Sequence, residues 1–382
     1  MREAALPPSD FLAGAFLSGD AVRSPQLTVL ANGAPLAGMF EAEVISNNHF
    51  AADRFRVSAA LHADPLAGLT VIDTDSITID VQVALGVFDG TSLVQGEVDT
   101  IEVDPINGLL HLEGRDLSAA LIQARTQETF ANNTSSEIAQ KLAARHGLAA
   151  DVQATTTPAG RYWELEHDRI VLNQFGRATT EWDLLVTLAQ FEGFDLWVTG
   201  TTLHFRPPVA VPVATAVVRP AATMAGPANV MGLRLERALT LARDINVTVK
   251  SWNSRQRNAF TQSAQRSGTG TQSGNVLNYV YVVPNLSADD ALKYAQARLA
   301  ELTLHERVIC AEMPGELTLF PRAMVRVEGT GTRFDQAYWI DRVERRFSLR
   351  DGFVQTVHAR NVTSPGQATA PADIVGATWI NS

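Results

Sequence analysis

Val98-Asp99-Thr100-Ile101-Glu102, a turn at Asn107-Gly108, and Gly114-Arg115-Asp116 make up a run that returns near the other end of the chain. There it reads Ile340-Asp341-Arg342-Val343-Glu344, Asp351-Gly352 and Ala359-Arg360-Asn361. Each copy is an apolar-Asp-x-apolar-Glu strand, a turn ending in glycine, and a returning strand that closes on Arg plus Asp or Asn. Each also follows another strand-like run, Thr78–Leu85 in the first case and Ala323–Glu328 in the second. One such hairpin is common in β proteins. Two copies with the same charged positions, each ending its own β region, point to internal duplication. Two similar β units per chain let three chains present six similar units around an axis, which is how a trimer matches a sixfold ring.

Working outward, Gln26–Ala31, Gly38–Ser46, Phe55–Leu61 and Ile77–Leu85 alternate apolar and polar residues, the period of half-buried strands. Asn32-Gly33 and Asp89-Gly90 stand between such runs as hairpin turns. The period then changes. Thr134-Ser-Ser-Glu137 is a capping box that opens a helix carrying Ile138, Leu142 and Ala143 and ending at Gly147. A second helix from Thr180 carries Trp182, Leu184, Leu185, Leu188 and Ala189 and stops at Gly193, before a short hairpin at Phe194–Val198 and Thr202–Phe205. Pro207, Pro208, Pro212, Pro220 and Pro227 mark an extended linker. Strands resume at Val230–Leu235 and Ile245–Trp252. The polar run 262–274 reads as a mobile loop, and a third helix starts at Ser287 behind the acidic Asp289 and Asp290.

The expected fold is therefore mainly β with an α+β insert. Residues 1–117 form a first antiparallel β-barrel and 118–206 a small α+β domain. Residues 207–229 form the linker, 230–365 a second related β-barrel with its helix at 287–303, and 366–382 a C-terminal tail.

Composition narrows the function. In 382 residues, 46% are hydrophobic and 19% charged, the balance of a globular protein with a sizeable core. The single cysteine, Cys310, rules out an internal disulfide and suits synthesis in a reducing cytoplasm. A net charge of −10 argues against gripping nucleic acid by its phosphates, while an acidic wall would let DNA pass without sticking. The N-terminal residues lack the pattern of a signal peptide, and no apolar run is long enough for membrane insertion.

Chemistry is sought without success. The eight histidines form no metal-ligand spacing. Glu164, Glu166 and Asp168, beside His167, would share one face of a strand and suit a hard cation, but such a run reads first as a charged, solvated edge. Glu192 and Asp195, flanked by Phe191, Phe194 and Trp197, superficially resemble a glycosidase pair, but they straddle a helix end where acids are usually solvated. Cys310 lies in an apolar segment and reads as an inert thiol. Trp163, Trp182, Trp197, Trp252 and Trp339 are expected in the core. Trp379 is not, and the apolar end around it is expected to dock on a neighbour. The expectation is a non-enzyme with no catalytic, cofactor or metal residues; the alternative is a cell-wall hydrolase or glycan-binding β-protein.

Gly114–Ala124, Phe130–Leu142, Thr180–Val198 and Leu203–Phe205, in that order, resemble the phage late control protein D and baseplate tail hub family. That family is related to the N-terminal hub part of type VI secretion spike proteins. The resemblance spans about residues 25–363 and rests on several weak segments rather than one motif. It implies a homotrimer whose barrels form a pseudo-sixfold ring joining the tail tube to the central spike. The implied partners are the tail tube protein, a separate central spike protein, baseplate wedge and tape measure proteins, and DNA as passing cargo. The implied location is the virion tail baseplate, assembled in the bacterial host cytoplasm.

Overall fold

The structure, a computed structural model, describes residues 24–61, 74–86, 90–125, 128, 130, 133–156, 180–208, 214–222, 224, 226–241, 244–253, 258–266, 276–283, 286 and 288–361. The fold is mainly β, with strands of two regions hydrogen-bonded into one 13-stranded sheet. The first region contributes β1 (Gln26–Ala31), β2 (Ala34–Pro35), β3 (Met39–Asn47), β4 (Arg54–Ala60), β5 (Thr78–Ala84), β6 (Thr91–Asp104) and β7 (Leu109–Asp116). Alternation decides their faces: on β5, Ile79, Val81 and Val83 are buried between polar residues. Asn32 and Gly33 both take positive φ, as the two-residue turn between β1 and β2 requires.

The α+β unit follows. It holds α1 (Ser118–Gln123), α2 (Ser135–Arg145), β8 (Ala149–Val152), α3 (Glu181–Glu192), β9 (Asp195–Thr199) and β10 (Thr202–Arg206). The expected capping box forms, Thr134 with Glu137 on α2; Thr180 and Asp183 make a second on α3, and Gly193 takes the left-handed cap. The helices pack Ile138, Leu142, Leu185 and Leu188 against Leu196, Leu203 and Phe205 of the small sheet β8-β10-β9.

The second region contributes β11 (Ala214–Val218), β12 (Gly232–Arg237), β16 (Arg307–Pro314), β17 (Met324–Val327), β18 (Ala337–Ser348) and β19 (Gly352–Asn361). Between β12 and β16 lies a separate layer: β13 (Ile245–Asn253), β14 (Asn258–Arg266) and β15 (Leu277–Val282) form a three-stranded sheet under α4 (Ala288–Thr303). Ile245, Val247, Val249, Ala291, Ala295 and Leu299 make its own core.

Two expectations are corrected. The proline-marked linker contains β11, which pairs in parallel with β17, because its prolines flank the strand instead of interrupting the ladder. The run expected to be a mobile loop begins as strand: residues through Arg266 belong to β14 and pair with β13. Asp89, the region 157–179 with its acidic candidates, and the tail beyond Asn361 lie outside the described residues.

The duplication is visible in the topology. The first unit runs β3-β4-β7-β6-β5-β1 across the sheet, and the second runs β12-β16-β19-β18-β17-β11. Numbered by chain order within each unit, both follow the same spatial order, 2-3-6-5-4-1. Two departures mark the copies: β1 is antiparallel to β5, whereas β11 is parallel to β17, and among the described residues only β1 carries an extra two-residue strand, β2, on its outer edge.

Candidate functional site: the junction of the two strand units

The matched hairpins β6–β7 and β18–β19 agree to the residue. Each register slips by one residue, at Asp99 in the first and at Asp341 in the second, so each aspartate is the extra residue of a β-bulge. Arg115 and Arg360, on the returning strands, reach these carboxylates. Arg115 donates to Asp99 through Nε and Nη2 at 2.7 and 2.8 Å, and Arg360 lies 3.0 Å from Asp341. The next residue caps the start of the adjoining strand in both copies: the Asp53 N–H donates to Asp116 Oδ2, and the Arg307 N–H to Asn361 Oδ1. The charged positions of the sequence repeat thus hold a shared structural device.

The two units meet edge to edge. From Arg342 to Ser348, β18 leaves its neighbour β17 behind and pairs antiparallel with β3, Arg342 opposite Asn47 and Ser348 opposite Glu41. The joint is also packed. Phe347 and Phe353, from the second unit, lie in the core of the first beside Ala42, Val44, Phe55 and Val57. Where the 48–53 loop leaves β3, the Phe50 carbonyl accepts from Trp182 Nε1 at 2.7 Å, tying the α+β unit to the same place.

Charge collects there. Arg322, in the positive-φ region, stacks 4.4 Å over the Trp197 ring, which itself stacks on His204. Its Nη1 donates to the Asn47 carbonyl. Asp53 keeps some surface open, yet burial and then the Asp116 carboxylate raise its pKa to about 7. Asp116 is raised by burial, and Asp195 is raised by burial against the opposing pull of Arg322, Arg360 and His49. Burial lowers Arg322, and the Asp53, Asp195 and Asp116 carboxylates oppose that shift. Arg345 is held at about 10 by burial and donates to the Glu316 and Leu319 carbonyls. Such an arrangement orients and locks neighbouring segments.

The residues singled out in the sequence fall as follows. Glu192 accepts from Ser135 Oγ at 2.6 Å, while Asp195 faces the basic groups around Arg322, so the two acids have different surroundings. Cys310 is half-buried, and burial raises its thiol pKa. Trp182 is in the core, but Trp252 is half-exposed on the sheet face away from α4, a correction to its expected burial. No cluster of metal-ligating groups occurs among the described residues, and none of their helices is long and apolar enough to cross a membrane. Sequence reasoning missed Asp53, Arg322 and Arg345, which come together with Asp195 from segments far apart in the chain.

Solved structures share this fold across most of the chain. A tail protein from Neisseria meningitidis MC58 aligns with TM-score 0.69 at 17% identity, over 88% of this chain and 97% of that one. The 43 kDa tail protein of prophage MuSo2 from Shewanella oneidensis gives 0.67 at 15%, over 91% and 100%. An Escherichia coli component of the type VI secretion system, described as similar to T4 bacteriophage tail proteins, gives 0.53 at 11%, over 90% and 79%. No curated protein matches the chain in sequence. One family model does, running from within β5 to the last residue of β18: by that match over residues 80–348, the chain belongs to the Alg8 N-terminal domain family.

Proposed function

We propose that the protein is a structural component of a contractile tail or related injection particle: the baseplate hub that joins the tail tube to the central spike. The observation that carries this reading is the pair of six-strand units, equal in strand order and in their bulge-and-arginine hairpins, joined by a continuous ladder. Three such chains would give six near-equivalent units around one axis. The shared fold of the Neisseria tail protein and the prophage MuSo2 tail protein supports the same class of role.

In this reading the first hub domain ends at Asp116 and the α+β domain lies between it and β11, with which the second begins. The function resides in large assembled surfaces, the partners are the tube, spike and neighbouring baseplate proteins, and DNA is cargo passing through the lumen. The late control protein D likeness belongs to this proposal. Light scattering of the purified chain over a range of concentrations tests it. Three times the monomer mass, with rings in electron micrographs, is the expected result. A monomer that stays monomeric with co-expressed spike protein overturns the reading.

A further inference from the structure

The strand β18 has two successive partners on one edge: β17 up to Trp339, then β3 from Arg342. Its counterpart β6 has one. It pairs with β5 as far as Glu97, and the Val98 N–H still reaches the Ile77 carbonyl. From the Asp99 bulge to Asp104 no strand among the described residues covers that edge. The strand corresponding to β3 is β12, which ends the sheet order with only β16 beside it. Each chain therefore carries one occupied junction and the two separate halves of a second.

We infer that β6 of one copy pairs antiparallel with β12 of a second copy, in the register that β18 and β3 use within the chain. This rests on the ring-forming reading above and deepens it by naming the contact. Aligning the bulges and the ladders to β16 and β4 transfers the register residue by residue. Arg346 opposite Glu43 becomes Asp104 opposite Arg234, and Arg345 opposite Val44 becomes Val103 opposite Leu235.

Three observations favour this occupant over any other. First, burial: in the occupied junction Val44 is 1% and Val343 0% exposed, whereas the corresponding Leu235 and Ile101 remain half-exposed at the rims of their own cores. A second copy would cover them as β18 and β3 cover each other. Second, charge: the pair is opposite in sign in both junctions, with the sign reversed. Glu102 falls opposite Glu236, a like pair that Arg234 flanks on the diagonal. Third, the strand ends: Ile106, 93% exposed, and Met231, 58% exposed, fall at the same end of the joint, where the Leu349 N–H reaches the Phe40 carbonyl in the occupied one. Because the two half-edges differ, the contact runs head to tail and must close into a ring or continue as a filament.

The test is cross-linking of the full chain with Asp104→Cys and Arg234→Cys in a Cys310→Ser background, beside a pair two residues out of register, Asp104→Cys with Glu236→Cys. Directly opposed positions bring Cβ atoms to about 4.5–5.5 Å, close enough for a disulfide, and the diagonal pair lies farther off. Under mild oxidant the in-register pair should give covalent chains of up to three copies at least tenfold faster. Light scattering is read on the same samples. A trimer whose two pairs cross-link equally slowly overturns this contact and leaves the hub reading standing; a monomer at every concentration without cross-links, unchanged by co-expressed spike protein, overturns both.

Discussion

In β6–β7 the Asp99–Arg115 pair is partly solvated, with side chains 32% and 25% exposed. In β18–β19 the corresponding Asp341 and Arg360 are 20% and 11% exposed, and Asp341 also meets His49 Nε2 at 3.0 Å while its carbonyl accepts from the Asn48 N–H. The chemistry is the same; the surroundings differ because one hairpin has a neighbouring unit docked on it and the other does not. A duplicated device thus acquires weight from what covers it. The same contrast recurs one residue further on. The first copy places Asp53 beside Asp116, two acids of raised pKa, where the second has Arg307 beside Asn361.

That contrast can be broken most forcefully at the shared core. Phe347→Ala should cost about 3–4 kcal/mol in chemical denaturation, because it opens a cavity in the first unit from the second. Ile101→Ala, at the uncovered counterpart strand, should cost under about 1 kcal/mol in the dissociated chain. Equal losses would mean that the two edges are equally buried. Gly114 is the next test. A methyl there would lie 2.1 Å from the Glu97 carbonyl oxygen, although the second copy carries Ala359 at this place. Gly114→Ala should cost about 3 kcal/mol, and a neutral result would show that the two hairpins have the same inter-strand spacing.

The acid pair gives a pH signature. Asp53 holds its proton more tightly folded than unfolded, so its contribution is full below the ordinary 3.8 and is lost as pH rises through about 7. Asp53→Asn should therefore raise stability by about 2 kcal/mol at pH 8 and change little at pH 4. Melting curves at both pH values check this, and an unchanged slope would sink it. A final contrast separates the two ion pairs. Asp341→Asn should cost about 2 kcal/mol and Asp99→Asn about 0.5 kcal/mol, the order expected for an enclosed and a solvated pair.

Much of this was legible in the chain. The hairpins announced themselves through Asn107-Gly108 and Asp351-Gly352 and through the repeated Asp and Arg positions, and the Thr134–Glu137 capping box and the Gly193 stop each marked a helix end. These are local signals, carried by residues within a few positions of one another. The strand β11 was not legible, because Ala214–Val218 is short and bounded by prolines, and only its tertiary partner β17 makes it a strand. Nor was the junction. Asp53, Asp195 and Arg322 follow no spacing rule; the ladder between β3 and β18 brings them together, and no periodicity records which strand lies beside which.

That ladder has a kinetic consequence. Its partners, Asn47 and Arg342, are separated by about three quarters of the chain, so the contact order of this pairing is high. During synthesis at about 5–20 residues per second, the edge of β3 waits roughly 15–60 s before β18 leaves the ribosome. Throughout that interval it is an open template beside other nascent copies, each presenting its own finished β6. The first unit therefore matures in the presence of a competitor that resembles its correct partner, and the acidic edge of β3 guards it: Glu41 forms an ion pair with Arg346 of β18, while Glu43 would face the like charge of Asp104 from β6.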